Sequence, residues 1–154
     1  MLKNLFFYKS KAKTKNDLLI LSDSNYNIIN NFYYETHPWN NEKQYFSDYK
    51  LITKIEKDFI LFFKNQFKKE YSLNRPLPYW NIIFLPSIYY ALSFIRARYS
   101  ILNRIHKSHK VNKFYSPSYK LEEWIPKTTS HLMRNIKDPN FSTIIYSEIA
   151  KLFF

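Results

Sequence analysis

The stretch EKQYFSDYKLITKIEKDFILFFKNQFKKE, from Glu42 to Glu70, decides the fold of this chain. Apolar side chains recur in it at spacings of three and four residues, at Tyr45, Tyr49, Ile52, Ile55, Phe59, Phe62 and Phe63. Lysines occupy the other side of a helical projection, at Lys50, Lys54, Lys57, Lys64 and Lys68. This period is that of an amphipathic α-helix, so we predict one long helix that buries its aromatic face. Asn40 or Asn41 is expected to cap its first turn.

A second helix is predicted from Tyr79 to Lys107, after the helix-breaking segment 74–78. Pro86 lies inside this helix and is expected to kink it. No charged residue occurs between Pro76 and Ile95, a length close to that of a membrane span. Because the segment also contains three prolines, an asparagine and several tyrosines, a buried core helix is favoured. A membrane segment through residues 77–95 stays the alternative.

Shorter elements are predicted on either side of these two helices. Residues 1–16 are typical of a basic, poorly ordered lead-in, and the run from Asp17 to Ser22 of a short strand. A short helix is predicted over 127–137, and Asp138-Pro139 supply the cap and first-turn proline of a last helix. We therefore predict a mainly α fold with long antiparallel helices and a short strand region near the amino terminus. Residues 17–154 are expected to form a single helix-rich domain.

The 154 residues include neither glycine nor cysteine. Without cysteine the chain has no disulfides, no thiol nucleophile and no cysteine-based zinc site. Phosphate-cradling loops and nucleophile elbows need residues with positive φ or no Cβ, so no Walker loop, dinucleotide-binding turn or hydrolase elbow is expected. Left-handed helix caps are expected to fall to Asn. We therefore expect no cofactor. Because the first residues do not resemble a signal peptide, a cytoplasmic location is expected.

The net charge is +12, and 19 lysines accompany only 5 arginines. Such a charge attracts polyanions whatever the fold. Planar, bidentate recognition of phosphates and bases favours arginine, so nucleic acid is not the favoured partner. A small basic protein that binds nucleic acid or an anionic membrane without catalysis stays the alternative function, and peripheral membrane association stays open.

Arg98 is the most informative candidate site residue. The apolar face of the second predicted helix consists of Ile88, Leu92, Ile95, Tyr99, Leu102 and Ile105. Arg98 projects from inside this apolar sector, whereas Arg96 and Arg104 share the polar side. A guanidinium that faces inward needs an anion, because an unpaired buried charge costs several kcal/mol. That anion is either a phosphate or carboxylate of a ligand or an internal carboxylate, for which the candidates are Glu35, Glu56, Asp58 and Glu148.

Other candidate residues are aromatic or carry imidazole. His37 precedes Pro38 in an aromatic loop, where it is suited to general acid or base chemistry beside a sugar packed on Trp39; a loop anchored by Trp39 is the structural alternative. Tyr79 and Trp80 open the second helix, either as core anchors or as a ligand platform. His106 and His109 are three residues apart but have no nearby carboxylate, so no metal site is expected.

Several separated blocks resemble one family. They are His37-Pro38-Trp39 with Tyr45, Asp48 and Tyr49, then YWNIIFLP from Tyr79 to Pro86, then Arg98-Tyr99, and finally IYSEI from Ile145 to Ile149. In order and spacing these blocks resemble bacterial proteins classed as transferases and encoded with surface-carbohydrate genes. The likeness covers about residues 35–154. It departs at Asn81, Leu85 and Ala97, where the family tends to carry Arg, Gly and Asp.

The resemblance implies that the chain is the amino-terminal part of a larger α/β transferase. In that family a second half is expected to hold the activated donor, a nucleotide-linked sugar. The partner implied for this chain is therefore a separate or missing carboxy-terminal donor-binding half. Arg98, with His37 and Tyr99, would then face the acceptor side of a shared cleft, and the chain alone would have no turnover.

Overall fold

Two long helices dominate the chain. The computed structural model describes residues 3–6, 17–19, 37–108 and 111–154. Its elements are β1 (Lys3–Phe6), β2 (Asp17–Leu19), α1 (Glu42–Tyr71), α2 (Leu77–Ser108), β3 (Val111–Tyr115), α3 (Thr129–Lys137) and α4 (Pro139–Ala150). Short 3-10 turns occupy Pro38–Asn40 and Leu121–Trp124. The predicted mainly α class is confirmed.

Side-chain capping explains where the helices begin. Asn41 caps α1 as predicted, and its side chain accepts a hydrogen bond from the backbone N–H of Gln44 at 3.1 Å. Thr128 does the same for α3, with the N–H of His131 as donor at 3.1 Å. Asp138 caps α4 and Pro139 opens its first turn, which confirms that prediction.

The end of α1 corrects the prediction that Asn would take the left-handed caps. Ser72 occupies this position, with φ 56° and ψ 20°, and its backbone N–H donates to the carbonyl of Phe67. The geometry is that of a left-handed helix cap, which glycine usually fills because it has no Cβ. Ser takes it here because the chain has no glycine and Asn74 lies two residues too far along.

The buried face of α1 also differs from the predicted one. The positions that the fold buries most deeply are Asp48, Ile52, Glu56 and Ile60, which follow one another at intervals of four residues. Tyr45, Tyr49, Phe59 and Phe62 were predicted on this face but remain exposed. Aromatic rings tolerate a half-exposed flank, whereas the four-residue stripe lies at the centre of the buried face. As a result, two carboxyl groups lie where the sequence pattern predicts only apolar side chains.

The helix α1 and the part of α2 up to Arg96 are antiparallel, as predicted, and belong to a compact unit of residues 39–96. Aromatic rings join them near the connecting segment: Phe63 stacks on Phe84 at 5.0 Å, and Phe67 lies 5.1 Å from Trp80. Trp80 is 2% exposed, and its indole Nε1 donates to the carbonyl of Arg75 at 3.1 Å. This cluster anchors the turn between the two helices.

The part of α2 up to Arg96 is buried on one face and exposed on the other. Trp80 and Phe94 are buried, whereas Tyr79, Ile82, Ile83 and Tyr90 are exposed. Within the described residues, no helix combines the length and apolar character that crossing a bilayer requires. The helix runs continuously through Pro86, and the kink predicted there stays a prediction.

The other compact unit comprises residues 1–38 and 97–154. Its three strands are parallel and lie in the order β2-β1-β3, with Leu5 opposite Leu18 on one side and opposite Phe114 on the other. The strand predicted from Asp17 is confirmed as far as Leu19, and residues 20–22 lie outside the described residues. No strand was predicted in the segment that forms β3. The core of this unit is formed by Ile101, Leu102, Ile105, Tyr146, Ile149 and Ala150.

The prediction of one domain over residues 17–154 stays a prediction. The described chain has two compact units, and α2 supplies residues up to Arg96 to one and from Ala97 onward to the other. The strand β1 lies within the segment predicted as a lead-in.

Replacing Ser72 by glycine should stabilise the protein. A left-handed conformation costs a residue with a Cβ about 1 kcal/mol, so Ser72→Gly is expected to raise the free energy of unfolding by about that amount. Urea denaturation measures the change. Ser72→Ala is the matched control, since it removes the hydroxyl but keeps the Cβ, and a gain in both variants would contradict the backbone explanation.

Candidate functional site

The carboxylate of Asp48 is the best-organised polar centre in the unit of residues 39–96. Its side chain is 0% exposed. Arg96 Nε donates to Oδ1 at 2.7 Å, Gln44 Nε2 donates to the same oxygen at 2.9 Å, and Trp39 Nε1 donates to Oδ2 at 3.2 Å. The centre therefore ties the loop before α1, the first turns of α1 and the middle of α2 to one buried charge.

Sequence reasoning missed this centre. Arg96 was assigned to the polar side of α2, and Asp48 was quoted only within the family-like block. A signal was present, because Asp48 lies four residues before Ile52 and therefore on the same face of a helix. An acid in a buried stripe requires donors, so an arginine on the neighbouring helix could have been sought.

The geometry of the Asp48 centre suits positioning better than acid or base chemistry. Both carboxylate oxygens are already engaged by donors from three side chains, and one of these is a charged guanidinium. A carboxylate whose two oxygens are both engaged by donors is held in one orientation. What it supplies is a fixed orientation for the Trp39 indole and for Arg96.

Glu56 is the second carboxyl group on the buried stripe of α1. It is 5% exposed, and its Oε1 has no hydrogen-bond partner within the described part of the chain. Burial raises the pKa of this carboxyl above 4.5, and the nearby charge of Lys57 lowers it by a smaller amount. Asp48 and Glu56 are eight residues apart, or about 12 Å along the helix, which is too far for a paired-carboxylate mechanism.

Arg98 is buried in the unit that contains residues 97–154, as its place in the apolar sector predicts. It is 5% exposed, its Nε donates to Ser142 Oγ at 3.0 Å, and its guanidinium lies 5.5 Å from the ring centre of Tyr146. Both neighbours belong to α4. The hydroxyl and the aromatic face orient the guanidinium.

Glu148, one of the carboxylates expected near Arg98, instead bonds two other side chains. Its Oε1 accepts from the hydroxyl of Tyr119 at 2.5 Å and from Lys151 Nζ at 2.6 Å. Hydrogen bonds from Lys151 and Tyr119 lower the pKa of Glu148, while burial, followed by the bond to Glu148, raises the pKa of Tyr119. These contacts fasten the segment after β3 to α4. Glu35, another expected partner, lies outside the described residues.

The remaining candidate residues have separate surroundings. Tyr99 packs its ring 5.2 Å from Phe153, and His37 is half-buried beside Pro38. His106 is exposed, with Phe153 and Phe154 each 5.5 Å away, and His109 lies outside the described residues. No cluster of three His, Asp or Glu side chains suited to a metal ion occurs in the described ranges.

The three aromatic candidates for substrate binding differ in what they expose. Trp80 is buried and packs as a core residue, with Phe84 stacked on it at 5.8 Å. Trp39 is half-buried and bonded to Asp48. Tyr79 is 39% exposed, meets the edge of Trp80 at 5.2 Å and has the guanidinium of Arg75 5.8 Å from its ring centre. Of the three side chains, that of Tyr79 is the most exposed to solvent.

The class of protein follows from comparison with known families. The described fold is mainly α, and a family match identifies the chain as a member of a transferase family. The match is to the model of the LIC12162 family transferase and covers residues 10–154 of the 154, so the chain belongs to this family. No curated protein and no solved structure matches the chain.

Removing the charge of Asp48 should destabilise the fold strongly. An amide at this position cannot neutralise Arg96 and turns one acceptor into a donor that faces donors, so Asp48→Asn is expected to cost about 3 kcal/mol. Chemical denaturation, combined with Arg96→Gln in a double-mutant cycle, measures the coupling. The control is Glu123→Gln, at the exposed pair with Lys120 at 3.7 Å. That change should cost less than about 1 kcal/mol, and equal losses at both sites would contradict the assignment.

Glu56 should make stability depend on pH. Because its pKa is higher in the folded than in the unfolded chain, folding favours the protonated form, and stability falls as pH rises from 4.5 through the raised pKa. Glu56→Leu is expected to remove this dependence and to raise the free energy of unfolding at pH 7 by about 1 kcal/mol. Thermal unfolding between pH 4 and about pH 7 tests it. Glu70→Leu, at an exposed position of the same helix, should retain the slope.

Proposed function

We propose that this transferase-family chain takes part in the transfer of a sugar during bacterial surface-polysaccharide biosynthesis, on the cytoplasmic side of the membrane. In this proposal the chain binds the acceptor, and a portion outside these 154 residues binds the activated donor. Membership of a transferase family supports the general reaction. A sugar as the transferred group is supported by a likeness to proteins of surface-carbohydrate clusters. The likeness lies in the blocks His37-Pro38-Trp39, Tyr79–Pro86 and Arg98-Tyr99.

One observation carries the division of labour between acceptor and donor. The chain belongs to the transferase family over residues 10–154, yet it contains no glycine. A nucleotide diphosphate is usually held by backbone N–H groups of a loop that requires glycine for its close approach. A glycine-free transferase chain is therefore expected to take its donor pocket from elsewhere.

Arg98 supports the acceptor role. Its guanidinium is oriented by Ser142 and Tyr146, and arginine is the residue type that binds phosphate and carboxylate groups through paired hydrogen bonds. Tyr99 is its neighbour on α2, and His37 belongs to the same compact unit.

Tyr79, with Arg75 above its exposed ring, is suited to stack against a sugar. Trp39, held by Asp48, and Trp80 then serve as anchors of these surfaces.

The isolated chain should neither bind a donor tightly nor turn it over. Titration calorimetry with uridine-, guanosine- and cytidine-diphosphate or monophosphate sugars is expected to show no saturable binding tighter than about 1 mM. Release of nucleotide should stay at the level of a buffer blank. Tight binding or transfer by the chain alone would overturn the proposed division.

A complementation assay tests the sugar-transfer part separately. The product of the reading frame that follows codon 154 would be purified and mixed with this chain, and transfer from labelled nucleotide sugars measured. Activity that requires both polypeptides and falls at least tenfold in Arg98→Met supports the proposal. If the mixture transfers sugar equally well without this chain, the acceptor role is rejected.

A further inference from the structure

One face of α1 carries a row of positively charged side chains. At 3.6 residues per turn, eight residues of the helix fall within a sector of about 80°. They are Lys43, Phe46, Lys50, Lys54, Lys57, Leu61, Lys64 and Lys68. We call this set the lysine stripe. Six of its eight members are lysines, none is acidic, and it extends for about 37 Å along the helix axis.

The lysine stripe points away from the rest of its unit. The buried positions of α1, from Asp48 to Ile60, lie on the opposite side of the helix. Five of the six lysines are exposed and Lys64 is partly exposed, while Phe46 and Leu61 are exposed as well. None of the ion pairs found within residues 37–108 and 111–154 involves a stripe lysine. The charge is therefore available to a partner.

We propose that the lysine stripe docks the protein on an anionic lipid bilayer, with α1 lying parallel to the membrane plane. A long straight row of lysines is complementary to a flat anionic surface, because each side chain reaches a different headgroup. Phe46 and Leu61 lie among the lysines and would enter the boundary between headgroups and acyl chains. This inference does not depend on the proposed function.

The composition of the stripe favours a bilayer over nucleic acid. It contains no arginine, the residue that recognises phosphates and base edges in a bidentate manner. Its two apolar members would gain nothing from a phosphodiester backbone but would be buried by a membrane surface. Since only two apolar side chains take part, binding should be reversible and strongly dependent on salt.

Vesicle co-sedimentation tests the docking. The full chain would be mixed with vesicles of phosphatidylcholine alone, or of phosphatidylcholine with roughly one-third phosphatidylglycerol, at low salt. Binding is expected only to the anionic vesicles and should be lost at about 0.5 M salt. The triple variant Lys50→Glu, Lys54→Glu and Lys57→Glu should lower the partition coefficient about a hundredfold, since each lysine contributes roughly fivefold.

A charge-matched variant tests whether the position of the lysines matters. Lys113→Glu, Lys120→Glu and Lys127→Glu make the same change in net charge at exposed lysines of the other unit and should lower binding by less than about fivefold. Equal losses in the two triple variants would reject the stripe.

A second control separates lipid from nucleic acid. The double variant Phe46→Ser, Leu61→Ser should reduce vesicle binding severalfold without affecting binding to duplex DNA. A DNA affinity that exceeds vesicle affinity and depends on the stripe would assign it to nucleic acid and overturn the proposal. Circular dichroism verifies that each variant is folded. If the triple variant with Glu at positions 50, 54 and 57 unfolds, the triple variant with Gln at the same positions replaces it.

Discussion

The unit of residues 39–96 depends on a carboxylate, Asp48, that is excluded from water and surrounded by donors. Arg96, Gln44 and Trp39 all direct N–H groups at it, from two helices and the loop that precedes them. At the other end of the helix pair, Phe63 and Phe67 meet Phe84 and Trp80. The polar centre fixes the register and the aromatic cluster supplies apolar burial. Sliding the helices by one turn would separate Asp48 from Arg96 and leave a buried charge without its partner.

This division of roles explains which parts of the fold were predictable. The bounds of α1 and its Asn41 cap, as well as the Asp138-Pro139 start of α4, depend on nearest neighbours along the chain and were predicted closely. The predicted buried face of α1 is rotated about the helix axis relative to the observed one, because large aromatic rings were assigned to the core and acids to the surface. Whether an acid is buried depends on a partner some fifty residues away, and no local pattern contains that information. For the same reason the parallel strand β3 was missed, because its pairing with β1 spans most of the chain.

The candidate site was predicted less completely than the fold. Arg98 turned inward as its helical position indicated, and Tyr79 and Trp80, adjacent in sequence, proved to have opposite exposures. Ser142 and Tyr146, which orient Arg98, come from α4 and were not anticipated. The family assignment and the lack of glycine constrain the chemistry from different directions. The family assignment indicates group transfer, and the lack of glycine underlies the proposed separation of acceptor and donor binding.

The position of β1 between β2 and β3 has a consequence for synthesis on the ribosome. Its pairing with β2 becomes possible once residue 19 has left the exit tunnel, but its other edge must wait for residues 111–115. At roughly 5–20 residues per second, that edge stays unpaired for about five to twenty seconds. During this interval the nascent chain displays an open strand edge, the kind of surface that chaperones recognise and that otherwise recruits neighbouring chains.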